Sequence, residues 1–113
     1  MAEIIDFENP RDLPFRDRLG LWRTCLNRVA RMIGEPYEDE LRQHFSLGVT
    51  YYWREQEVKF LTSEDAVTQL DAGGKLEESR VKLKELAVDT EIHGATAIKI
   101  FLAQEAMLFG PSR

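Results

Sequence analysis

A chain of 113 residues suits one domain, or two small helical pieces sharing an interface. A hydrophobic fraction of 43% excludes disorder, a net charge of −5 excludes a generic nucleic-acid coat, and the single Cys25 excludes an internal disulfide or a cysteine-rich metal site. No run approaches the roughly eighteen apolar residues of a membrane span, and the acidic opening MAEIIDFENP reads as neither signal peptide nor anchor, so a cytoplasmic protein is expected.

The elements follow from periodicity. Residues 1 to 14, with Pro10 and Pro14, read as an extended arm. A helix then starts near Pro14. Phe15, Leu19, Trp22, Leu26, Val29 and Ile33 make one apolar stripe at alternating spacings of four and three, and Gly34 with Pro36 ends it. A short second helix is expected from Pro36 to Ser46, with Glu38, Asp39 and Glu40 in its first turn and Tyr37, Leu41 and Phe45 on one face. Gly48 marks its end. A third segment, Thr50 to Leu61, carries Tyr52, Trp53 and Phe60. Thr62 or Ser63 caps a short helix holding Ala66, Val67 and Leu70, and Gly73 with Gly74 reads as a break and hinge. A charged helix from Lys75 to Asp89 presents Leu76, Leu83 and Leu86 or Ala87, and Gly94 closes it. The last helix, Ala95 to Phe109, is apolar over much of its circumference and stops at Gly110 and Pro111. The fold class is therefore all-α. Short helices fill the N-terminal half and an oligomerising helical hairpin follows. The division is an arm (1–14), a helical region (15–61) and a second helical region (62–113).

Little here carries chemistry. His44 and His93 lie far apart with no cysteine beside either, and each reads as a partly exposed helix-end histidine rather than a ligand. Cys25 sits near Arg23 and Arg28, which could lower its pKa, but a half-buried bystander is the simpler reading. AGGK at 72 to 75 lacks the strand, the outer glycine and the hydroxyl residue of a phosphate loop. No nucleophile motif and no cofactor motif is present, and an enzyme is not expected.

Charge placement says more. Residues 11 to 31 hold six arginines against Asp12 and Asp17, while residues 35 to 113 hold 15 acids and 9 bases. On the first helix Arg16, Arg23, Asn27 and Arg31 share a flank beside the apolar stripe. A guanidinium donates to phosphate in pairs, so this flank could touch a nucleic-acid backbone. Alternatively these arginines pair with the acidic remainder, within one chain or between subunits. The apolar excess of the last helix suggests a subunit interface.

The order of motifs then gives a family resemblance. Trp53 is followed seven residues later by Phe60, an LGV turn at Leu47 to Val49 precedes the Trp, and a late A-x-x-x-F-L runs from Ala97 to Leu102. This resembles the small terminase subunits of tailed bacteriophages and phage-like particles, over about residues 41 to 102. The resemblance implies a degenerate helix-turn-helix, with Trp53 and Phe60 clamping its second helix to a helical stalk. It implies a homo-oligomeric ring without catalysis that binds double-stranded DNA weakly and hands it to the large terminase subunit, regulating that partner's ATPase and nuclease. The expected DNA contacts are Arg16, Arg23, Asn27 and Arg31, joined by Arg42, Arg54 and Lys59 of the turn region. The expected oligomerisation residues are Leu76, Leu83, Leu86, Ile98, Phe101 and Leu102. No metal, cofactor, membrane or small-molecule substrate enters this picture. Two other readings stay open: a helical protein-interaction module or adaptor without DNA binding, and a dimeric helix-turn-helix regulator.

Overall fold

The protein was analysed as a computed structural model, which describes residues 10–34, 37–57, 63–89 and 92–110. It is all-helical: a 3₁₀ turn at Pro10–Asp12 leads into α1 (Phe15–Ile33), α2 (Tyr37–Glu57), α3 (Ser63–Asp89) and α4 (Ile92–Phe109). The prolines, glycines and apolar stripes explain the boundaries of α1. The Pro14 carbonyl accepts from the Asp17 and Arg18 N–H groups at 3.0 and 3.1 Å, opening the helix. At its other end Gly34 takes φ 72°, a left-handed value that glycine tolerates without strain, and its N–H donates to the Ala30 carbonyl at 2.9 Å. The Gly34 carbonyl in turn accepts from the Glu38 N–H, so one glycine closes α1 and fastens the first turn of α2.

Three expected breaks are absent. Gly48 lies inside α2, which runs unbroken where a turn was expected at Leu47 to Val49, so the helix-turn-helix is not formed there. The reason is packing. A Cβ at Gly48 would lie 2.5 Å from the Trp22 ring, so the glycine lets a helix pass under an indole instead of stopping it. Gly73 and Gly74 likewise lie within one long α3, and a Cβ at Gly73 would meet the Tyr51 ring at 3.1 Å. A helix held by tertiary packing carries two glycines at a cost of about 1 kcal/mol each relative to alanine. Gly94 falls inside the first turn of α4 rather than closing the preceding helix. At the N-terminus, the arm residues 1–9 lie outside the described residues, and Pro10–Asp12 is a 3₁₀ turn packed on α4.

α1 packs on α2 and α4, and α3 packs on the same two helices, so α1 and α3 occupy opposite corners. One core joins the whole chain. Trp22, Leu26 and Leu41 from before residue 61 meet Leu83, Ile98 and Phe101 from after it. Trp22 is its centre: fully buried, stacked on Phe101 at 5.3 Å, and ringed by Phe45, Tyr52 and Phe109. Trp53 is 52% exposed and touches Phe15 edge-on at 5.8 Å. The expected clamp therefore does not engage the core through Trp53, and Phe60 lies outside the described residues. The exposure follows from phase: Tyr52 faces the core, and the next residue of a helix points about 100° away.

Two predictions separate these arrangements. Gly74→Ala, with open space around its Cβ, is expected to raise stability by up to about 1 kcal/mol, because it lies in a helix and not at a hinge. Gly48→Ala is expected to lower it by about 1–3 kcal/mol. Trp22→Ala is expected to cost about 3–5 kcal/mol, whereas Trp53→Ala stays below about 1 kcal/mol. Urea unfolding of the purified variants measures all four.

Candidate functional site

Where α2, α3 and α4 meet, the apolar interior is interrupted by charge. On α4, Ile98, Phe101, Glu105 and Leu108 fall on one stripe at spacings of three, four and three, and all four are buried. A carboxylate on that stripe must be satisfied inside the fold. Three donors reach it. His44 Nε2 donates to Oε1 at 2.7 Å, and Oε2 accepts from the Tyr52 hydroxyl and from Arg80 Nη2, each at 2.7 Å. On the far side of the imidazole, Nδ1 lies 2.8 Å from the Ser79 hydroxyl, and Arg80 also pairs with Glu77. Two helices thus supply the donors to a carboxylate on a third.

The electrostatics follow from this geometry. Burial pushes the Glu105 carboxyl up, but hydrogen bonds from His44, Tyr52 and Arg80 outweigh it and hold the group below its ordinary value of 4.5. Burial, reinforced by the negative Glu105, drives the Tyr52 phenol well above its usual range. Glu105 therefore stays ionised and Tyr52 stays protonated at neutral pH. Neither is poised as an acid or base for catalysis. Ser79, His44 and Glu105 line up in the order nucleophile, base, orienting acid. However, His44 is fully buried, and Ser79 lies mid-α3, where the backbone N–H groups belong to the helix ladder and cannot form an oxyanion hole. Among the described residues no cluster of three histidine, cysteine or carboxylate side chains could hold a metal. Beside the network lies an open cleft of about 740 Å³, with Tyr51, Glu55, Arg80, Lys84, Ala106 and Phe109 among its walls.

The expected helix-end role of His44 is corrected: it sits mid-α2 at 0% exposure, because it is the internal donor to Glu105. The side chain of His93 lies outside the described residues. At Cys25 burial raises the thiol pKa and the nearby Arg28 only opposes this, so the thiol is not activated.

The expected DNA contacts divide. Arg16, Arg23, Asn27 and Arg31 lie exposed on one face of α1, with the Arg23 guanidinium 5.9 Å from the Phe45 ring centre. None of these three arginines has an ion-pair partner among the described residues. Arg42, on α2, is paired with Glu38 at 2.8 Å. Arg54 is half-buried in the last turn of α2, and Lys59 lies outside the described residues. Arg18 has a structural task. It donates to the Leu13 and Leu108 carbonyls at 3.0 and 3.1 Å and lies against Phe15 and Phe109, tying the start of α1 to the end of α4.

The six residues expected at a subunit interface sit within the single chain. Leu76, Leu83, Ile98 and Phe101 are buried in its core, and Leu86 and Leu102 pack half-buried against it. Among the described residues the large apolar side chains that face solvent are different ones: Leu21 and Met32 on α1, Trp53 on α2, Val67, Leu70, Val81 and Val88 on α3, and Ile100 and Met107 on α4. Among the described residues no helix is long and apolar enough to cross a membrane. Compared with known proteins, the chain matches no family model, no curated protein and no solved structure.

The Glu105 network predicts an acid limb of stability. A carboxyl held below its ordinary pKa stabilises the fold fully above that value, and the contribution is lost as pH falls through the lower, folded value. Removing the carboxylate leaves buried donors without an acceptor. Glu105→Ala is expected to cost about 3–5 kcal/mol near pH 7, and the variant should lose less further stability than the parent between about pH 5 and pH 2. Denaturant unfolding across that range reads both effects.

Proposed function

We propose that the chain is a non-enzymatic DNA-binding assembly subunit of the small-terminase type, contacting the duplex backbone through one face of α1. The observation that carries this is the exposed row of Arg16, Arg23 and Arg31 with Asn27, unneutralised by any carboxylate of the described chain. Successive arginines of the row stand about 10 and 12 Å apart along the helix axis. They offer phosphate-matching forks without a base-reading helix, so binding is through the backbone, weakly sequence-specific and steeply salt-dependent. A net charge of −5 is compatible with such contact, because local potential decides where a polyanion lands.

The narrower part of the reading, a homo-oligomer that presents DNA to a large terminase subunit and regulates its ATPase and nuclease, rests on the sequence resemblance alone, since α2 runs unbroken through Leu47 to Val49 and Trp53 is exposed. A pure interaction module is the second reading. It is favoured by the absence of a turn at Gly48, since continuous α2 offers no recognition helix to the major groove.

Fluorescence anisotropy with labelled duplex DNA tests the proposal. The parent is expected to bind at low salt with affinity falling linearly in log–log form. Arg16→Ala with Arg23→Ala should weaken binding across all sequences and flatten the salt slope by roughly 2, leaving thermal stability unchanged. No binding by the parent at low salt would replace this proposal with the interaction module.

A further inference from the structure

The outer face of α3 carries a pattern that the monomer does not use. Val67, Leu70, Gly74, Val81 and Val88 recur at coiled-coil spacing on its solvent side, with Glu77 and Lys84 completing the alternation of three and four. Leu70 is 76% exposed and Val88 81%, so among the described residues no helix covers the stripe. Asp71, Glu78 and Glu85 run beside it at seven-residue intervals. Asp71 faces Lys75 at 3.6 Å, while Glu78 and Glu85 have no ion pair among the described residues.

At the opposite corner α1 bears the complementary strip. Leu21 and Met32 are exposed, eleven residues apart, the same separation as Leu70 and Val81. Between them Arg28 points to solvent with no ion pair among the described residues. This strip lies around the helix from Arg16, Arg23 and Arg31, so the two faces can be occupied independently. Within one chain the strips cannot meet, because α2 and α4 separate α1 from α3.

We infer that the α3 stripe is a docking surface for α1 of a second copy, with Leu21 and Met32 on its valines and leucine and Arg28 against Glu78 or Glu85. This gives the homo-oligomeric part of the proposed function its contact surfaces, and it rests on that part of the reading alone. Antiparallel pairing of the stripe with itself is disfavoured, since the acidic rows would then face each other. A contact between two different surfaces on opposite corners is head-to-tail, so it propagates to a closed ring or an open filament and does not stop at two subunits.

Light scattering coupled to gel filtration, without DNA, tests the inference. The parent is expected as a particle of many chains, and Leu70→Glu with Val81→Glu as a folded species at the single-chain mass of 13.1 kDa. Both positions are exposed, and circular dichroism of that variant checks that its helices remain. Charge exchange tests the pairing. Arg28→Glu alone and Glu78→Arg with Glu85→Arg alone should each assemble less than the parent. An equimolar mixture of the two should recover assembly, because each then offers the charge the other lacks. A monomeric parent, or a parent whose mass these substitutions leave unchanged, overturns the inference. Loss of DNA binding in the Arg16 and Arg23 variant with assembly intact bears only on the DNA-binding face.

Discussion

A carboxylate inside a helical protein must find donors or lose its charge, and Glu105 keeps its charge by taking donors from two other helices. His44 and Tyr52 come from α2, two turns apart on one face, and Arg80 comes from α3. Apolar contacts alone would allow these helices to slide by a fraction of a turn. Three directional bonds of 2.7 Å to one side chain do not, so the register of α2, α3 and α4 is fixed where they cross. Trp22 performs the matching task for α1. Its indole occupies the space that Gly48 leaves open and stacks on Phe101 of α4.

The same two features mark where sequence reading succeeds and where it stops. The stripe of α1 was legible because its spacing is regular and its end is punctuated by Gly34, and the all-α class followed from such stripes. Gly48, Gly73 and Gly74 carry the same letters as a helix break. Only the ring atoms of Trp22 and Tyr51, distant in sequence, reveal that two of them are there for close approach. The buried network was half legible. Glu105 falls on the apolar stripe of the last helix, and a charge on a buried stripe announces a partner. Its partners stand 25 to 61 residues away, and nothing local distinguishes His44 from a surface histidine. The interface residues show the converse limit. Periodicity identifies that Leu83 or Phe101 will be buried, but it does not say whether the covering surface belongs to the same chain.

Inside and outside then follow one electrostatic rule with opposite outcomes. Interior charge is matched: Glu105 by three donors, and Arg80 by two carboxylates. Exterior charge is sorted by helix. Among the described residues, arginines without an ion pair collect on α1 and glutamates without one on α3, and the corners they occupy keep them apart. A molecule polarised in this way has the outward faces that the proposed phosphate contact and the proposed self-association each require. In the proposed function the bundle is the scaffold, and binding belongs to its outward faces.

The most direct test of this account is absolute mass in solution at low and moderate salt, with and without duplex DNA. The account predicts a particle of many 13.1 kDa chains that gains the mass of DNA at low salt and releases it as salt rises. A monomer whose mass is indifferent to DNA at every salt concentration would contradict it.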